Sequence, residues 1–385
     1  MKFRPLFIFG LARSGTNLLA RMLNRNPSVT IALDPFMPLF RALRNAMVSH
    51  HAPNAVRQSF SAAAPFQDFY FHPDGPTLLD LILSGQADIP LGEGELSDLK
   101  PRITERTALT SPELARRLGS LEGENYAQLM RSGLNIIAQM SPGARWVGCK
   151  EVWITDFFPL LANTFPEARF YFIERDPRAI VASLLAMAAQ NPTQAAHVPS
   201  YLRHWRKSIA LTRRFQDDPA LKERFRLISY ERLVGEPINE ATRICEELGI
   251  DFTPAMLRLS EDGWRGNSSF EHDGQDVYQN TVNRWFECLP DRVVQTVEFL
   301  CSPEMRLTPY FPFSEPKPDK VLSFLAEANQ NPGSWRSDST DPLADFGGEL
   351  IRYFFLESNE LSDESLVRRC FLFSDTLSKI RLAGR

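Results

Sequence analysis

The sequence lacks any apolar run of membrane-spanning length, any internal repeat and any long low-complexity tract. Cysteine is sparse. Cys149, Cys245, Cys288, Cys301 and Cys370 make an odd set without paired spacing. That pattern fits neither a disulfide framework nor a zinc site, so a reducing, cytoplasmic compartment and no metal are expected. The first apolar segment begins within a few residues of Met1, so no secretory leader is expected. An excess of positive charge is missing as well: the formal net charge is −4 and the pI about 6.0. These values argue against general affinity for nucleic acid or an anionic membrane, and an anionic ligand would need a local basic pocket.

What is present suffices for a large core: 385 residues, 43% hydrophobic and 23% charged, in one elaborated α/β domain or two. The chain is organised around residues 5–23. Residues 6–9 form a continuous apolar run that reads as a strand buried on both faces. Residues 10–16 make a tight turn, and from Asn17 the positions Leu18, Leu19, Met22 and Leu23 mark one face of a helix. Strand, glycine-bounded loop and helix together present backbone N–H groups and a helix N-terminus to a phosphate. Gly10 and Gly15 have the spacing of a Walker A loop, but Thr16 and Asn17 stand where its lysine and hydroxyl belong. The loop's cation is Arg13. Such a loop suits an anion that needs no metal, whereas kinases use magnesium to neutralise several phosphate charges.

A second short strand, residues 28–33, ends at Asp34-Pro35, at the edge where an open α/β sheet opens its ligand crevice. Residues 36–140 carry no strong strand pattern and mix helical stretches (38–47, 111–118 and 126–140) with polar turns. They read as an insertion that sets acceptor specificity. A third buried strand, 146–149, ends at Lys150-Glu151, and a fourth, 168–174, runs into Arg175-Asp176-Pro177 with Pro177 in the first turn of a helix. A basic amphipathic helix over 201–215 is expected to present a solvated charged face. A fifth strand, 226–230, precedes a helix over 237–248. The alternation implies an α/β, P-loop-like three-layer fold: a central, mostly parallel sheet of about five strands with helices on both faces, a helical insertion and a C-terminal helical extension. The stretch from Gly266 to Trp285 reads as polar, then helical. Residues 314–346, rich in Pro, Ser, Asp and Asn, read as a loop or lid, and Leu366, Cys370, Phe373, Leu377 and Ile380 form one helical stripe for packing on the body or for a homodimer seam. The division expected is an α/β domain over 1–313 containing the 36–140 insertion, then 314–385 as lid and C-terminal helices.

The loop Arg13-Ser14-Gly15-Thr16 after an apolar strand resembles the 5′-phosphosulfate loop of the sulfotransferase family, in the bacterial and tyrosyl-protein-like branch. Arg175 with Ser183 eight residues on resembles that family's 3′-phosphate motif, where a charged fork and a helix-borne hydroxyl hold the phosphate. Lys150 matches the lysine that family members keep near the sulfate. Tyr230-Glu231-Arg232-Leu233 resembles the strand end whose tyrosine lies near the adenosine, a core tyrosine being the plain alternative. Val282-Asn283-Arg284-Trp285 resembles the late basic-Trp element over the cofactor. The resemblance implies 3′-phosphoadenosine-5′-phosphosulfate as donor and adenosine 3′,5′-bisphosphate as product. Its sites are Arg13, Ser14, Gly15, Thr16, Asn17, Arg175, Ser183, Tyr230 and Arg284, with Arg13 and Arg175 at opposite ends.

The activity implied is metal-independent, in-line sulfuryl transfer to a hydroxyl or amine, with Arg13 and Lys150 as the catalytic cations. Asp34 is the expected base, set beside the first strand's loop, where tyrosyl-protein members keep a Glu; its plain alternative is a turn residue before Pro35. His50, His51 and His72 are the alternatives, since small-molecule members use a histidine. The acceptor is left open among small molecules, saccharides and peptides. Competing readings are a P-loop kinase or NTPase, and a nucleotide-binding interaction protein without transfer activity.

Overall fold

Five short apolar runs become the strands β1 (Arg4–Gly10), β2 (Val29–Leu33), β3 (Trp146–Val152), β4 (Arg169–Glu174) and β5 (Phe225–Ser229). The computed structural model describes residues 2–190, 197–259, 282–313, 319–321, 323, 324, 327, 342–358 and 363–384. All the strand pairs are parallel, in the spatial order β2-β3-β1-β4-β5. The expected parallel, helix-covered sheet is therefore present, and β1 lies at its centre.

Alternation along β1 builds the two faces. Leu6 and Ile8 pack with Leu18, Leu19, Met22 and Leu23 of helix α1 (Thr16–Asn24) and with the Pro237–Leu248 helix. Phe7 and Phe9 turn the other way, onto Phe170, Phe172 and the helices of the insertion. Each such side chain contributes about 1.5–3 kcal/mol by leaving water, so a strand apolar on both faces is stable only between two helical layers.

The insertion is helical, as expected. Its segments include Met37–His51 (α2), Glu95–Ala108, Pro112–Arg117 and Tyr126–Ala138. Lys150 and Glu151 do not end a strand; β3 continues through Val152, and both charged side chains are buried within it. At the other end of the sheet Tyr230 is not in β5 but opens the Tyr230–Gly235 helix.

One expectation is overturned. The Val198–Asp217 helix does not turn a charged face to solvent, because Arg203, Arg206 and Lys207 are buried. Arg206 bonds both carboxylate oxygens of Glu349 at 2.7 and 2.8 Å, and Arg203 bonds Asp68 at 2.7 Å. Lys207 donates to the Gln67 carbonyl at 2.9 Å and faces Asp156 at 3.5 Å.

The C-terminal stripe also divides. Leu372, at φ 66°, breaks it into the Glu364–Phe371 and Ser374–Ala383 helices. Cys370, Leu377 and Ile380 are buried against this chain's own Phe71 and Leu307. The stretches 260–281 and 328–341, including the polar run at Gly266 and most of the proposed lid, lie outside the described residues. Among the described residues no helix is long and apolar enough to cross a membrane.

Candidate active site at the carboxyl edge of the sheet

The loop after β1 closes with the Ser14 N–H donating to the Leu11 carbonyl at 3.0 Å. Its turn requires positive φ at Arg13 (74°) and Gly15 (103°). Gly15 is needed twice over, because a Cβ there would also lie 2.3 Å from the Tyr230 ring. Ser14 is buried, yet among the described residues its Oγ has no partner, and neither has Oδ1 of Asn17. Thr16 and Asn17 open α1, whose first N–H groups face the loop without intrahelical acceptors.

Arg175 follows β4 directly and reaches back to this loop. Its Nη1 donates to the Arg13 carbonyl at 2.8 Å, and its guanidinium lies 4.0 Å from the Tyr230 ring centroid. The Trp205 indole N–H holds the Arg175 carbonyl at 2.9 Å. Ser183, six residues into the Pro177–Gln190 helix, is buried and accepts from Nε of Arg13 at 2.9 Å. The two arginines are thus close neighbours rather than opposite ends of a site. Burial pushes the Arg13 pKa down, and the adjacent Arg175 charge pushes it further.

Asp34 and Lys150 meet on the other side of the loop. Leu33 and Lys150 are register partners in β2 and β3, and the Asp34 N–H donates to the Lys150 carbonyl at 2.7 Å. The Lys150 ammonium forms an ion pair with Asp34 Oδ2; the side chains are 2% and 14% exposed. Asp34 takes positive φ (50°), which Asp tolerates better than most residues. Its Oδ1 is buried without a partner. The expectation that Asp34 lies beside the β1 loop needs correcting, since β3 stands between β2 and β1. Lys150 is therefore the group between Asp34 and the loop.

Glu151 is a residue that the sequence reading passed over. It is fully buried beside Asp34, and its Oε1 accepts the Phe36 N–H at 2.5 Å. Burial, then the Asp34 charge, raises its pKa well above the usual carboxylate value. The available signal was a Lys-Glu pair closing an otherwise apolar strand.

A cleft of about 350 Å³ is lined by Met37, Pro38, Arg41, Arg102, Arg106 and Trp153 among others. Tyr201 and His204 complete it, each with its ring 4.7 Å from that of Trp153. Burial, reinforced by the Lys207 charge, lowers the His204 pKa to about 3. His50, His51 and His72 do not line the cleft; all are exposed, and His72 accepts the Asp74 N–H. Arg284 is half-buried at the start of the Trp285–Cys288 helix, whose Trp285 packs in one cluster with Leu11 and Ile180.

A model of the sulfotransferase family matches residues 5–74 and 75–254. The chain belongs to the sulfotransferase family. Human carbohydrate sulfotransferase 3 is 28% identical over 173 residues, 40% of this chain and 35% of the human protein. The chain thus spans about a third of the length of the first relatives it matches. The protein-tyrosine sulfotransferase of Drosophila melanogaster is 23% identical over 285 residues, 70% of this chain and 54% of that one. The solved sulfotransferase domain of the Synechococcus PCC 7002 olefin synthase superposes with TM-score 0.39 and 17% identity, over 76% of this chain and 90% of that chain. The family match spans the strands that carry the loop, Asp34, Lys150 and the Arg175–Ser183 pair of this sulfotransferase-family chain.

Proposed function

We propose that this chain moves the sulfuryl group of 3′-phosphoadenosine-5′-phosphosulfate to a hydroxyl or amine acceptor without a metal ion. The observation that carries the reading is the convergence of Arg13, Arg175 and Ser183 on one glycine-bounded strand–helix loop. Two guanidinium groups crowded in a half-buried site favour an anion between and beside them. The unpartnered Ser14 hydroxyl in the same loop fits a ligand better than a core.

Arg175, Ser183 and the Arg13 guanidinium would hold the 3′-phosphate. The loop amides, Ser14, Thr16 and Asn17 would hold the 5′-phosphosulfate, with Tyr230 stacked beneath Arg175 and Arg284 near the nucleotide. Bound there, the donor supplies a sulfuryl group that the acceptor takes as the sulfur–oxygen bond to the 5′-phosphate breaks, the electron pair leaving on the phosphate. Asp34 takes the acceptor's proton, and Lys150 stabilises the charge that develops on the leaving oxygen. Five free thiols support a reducing, cytoplasmic compartment.

Separating binding from turnover tests the assignment. Arg175→Ala weakens adenosine 3′,5′-bisphosphate binding at least tenfold in calorimetry, since one charge-assisted contact is worth about 1.5–3 kcal/mol. Lys150→Ala leaves that affinity within a few-fold and lowers turnover by roughly 10²–10³, the worth of one transition-state donor. Equal effects of both changes on affinity, with turnover intact, would contradict these roles.

A further inference from the structure

The cleft whose wall includes Met37, three residues after Asp34, and Trp153, three after Lys150, is basic. Arg102 and Arg106 lie one turn apart on the Glu95–Ala108 helix, so they share a face, and Arg41 joins them from α2. All three line the cleft, and none of them bonds a carboxylate among the described residues. Nε of Arg41 is buried with no partner among the described residues. Three cations gathered around one small cavity repel one another, and in a chain of net charge −4 such a cluster has a local purpose.

The cluster is tied to the reacting end of the site. Thr110, four residues after Arg106, donates its hydroxyl to the Leu33 carbonyl at 2.8 Å, one residue before Asp34. The Arg106 charge is felt by the Glu151 carboxyl. Met37 and Pro38 start α2 just after Asp34-Pro35, and Trp153 follows β3 directly. Phe66, Trp153 and Tyr201 add an aromatic part to the wall, with Pro65, His197 and Ser200 beside them. His204 is buried in the same wall, and its Nδ1 has no partner among the described residues.

We infer that the acceptor carries an anionic group of its own, a carboxylate, sulfonate or phosphate ester. Arg41, Arg102 and Arg106 hold that group, while the aromatic wall takes the acceptor's flat body and directs its hydroxyl toward Asp34. The volume suits a ring-sized body with one charged substituent. This inference rests on the transfer reading for the hydroxyl's direction, but not for the anion site itself. No step is added: the acceptor hydroxyl still loses its proton to Asp34 and gains the sulfuryl group.

The test is direct binding with and without saturating adenosine 3′,5′-bisphosphate, read by calorimetry. The probes are 4-hydroxybenzoate, 4-hydroxybenzenesulfonate, 4-hydroxyphenyl phosphate and the neutral methyl 4-hydroxybenzoate. At least one anion binds about tenfold or more tightly than the neutral ester, and the advantage shrinks as salt rises. The order among the three anions tells which group the cluster fits. In the Arg102→Gln/Arg106→Gln double variant the advantage falls below about twofold, while the bisphosphate still raises the melting temperature as in the parent. Both positions are outside the core, so the fold is retained. Equal binding of anions and ester, no binding of any anion, or an anion preference that survives the double variant overturns the inference. Failure of the bisphosphate to bind, with anion preference intact, sinks the transfer reading and leaves the anion site standing.

Discussion

Asp34 and Glu151 are two neighbouring carboxylates in opposite surroundings. Asp34 has an ammonium partner in Lys150, whereas among the described residues Glu151 has one backbone N–H and is sealed from water. If Asp34 is the base, as proposed, Asp34→Asn keeps the size and the tolerance for positive φ but removes the basic carboxylate, so turnover falls by roughly 10²–10⁴. Bisphosphate affinity stays within a few-fold of the parent in calorimetry, and a variant with near-full turnover would move the base elsewhere. Glu151 acts on stability through pH. Its folded pKa is raised, so the folded state holds the proton that the unfolded chain releases, and this contribution fades as pH rises above the ordinary carboxylate range. Glu151→Gln cannot release a proton, so the variant gains on the parent between pH 5 and 8 in melting temperature. A constant difference across that range would show that Glu151 is already ionised in the folded protein. Sequence alone did not reveal this pair, because Lys150-Glu151 looked like a strand end and the partner Asp34 is more than a hundred residues away.

The Val198–Asp217 helix shows how an element can be legible and still be misread. Its period and approximate bounds followed from apolar spacing, but the same spacing describes a solvated face and a face of buried ion pairs equally well. What decides between them is the carboxylates that arrive from elsewhere: Asp68 from the insertion, Asp156 after β3, Glu174 at the end of β4 and Glu349 from the C-terminal extension. The helix thereby fastens four distant parts of the chain together behind Arg175, whose carbonyl its Trp205 holds. Arg206→Met strands Glu349 and Glu349→Gln strands a fully buried guanidinium, so each costs about 3–5 kcal/mol in urea unfolding. The double variant costs less than the sum of the singles. Strict additivity would mean that the pair does not act as a unit.

Across the whole molecule, strand order arranges the chemistry. Reading along the carboxyl edge in the order β2, β3, β1, β4, β5 gives Asp34, Lys150, the loop with Arg13, Arg175 and Tyr230. Neighbouring strands lie about 4.8 Å apart, so the row spans the length of an extended nucleotide and its acceptor. The elements of this row could be read from the sequence because each site residue stands directly after an apolar run, where periodicity breaks. Their order could not, since nothing in Leu33-Asp34 or Cys149-Lys150 tells which strand sits against β1. The arginine cleft was likewise hidden, because Arg41 and Arg102 meet only after the insertion folds back on β2. The central claim is that Arg13, Arg175 and Ser183 form a metal-free site for a 3′-phosphorylated adenine nucleotide. Thermal unfolding in EDTA with graded adenosine 3′,5′-bisphosphate, set against ATP with magnesium, tests it most directly. In EDTA the melting temperature should climb with the logarithm of bisphosphate concentration above its dissociation constant, and Arg175→Ala should lose that response. Stabilisation by ATP-magnesium with no response to the bisphosphate would contradict it.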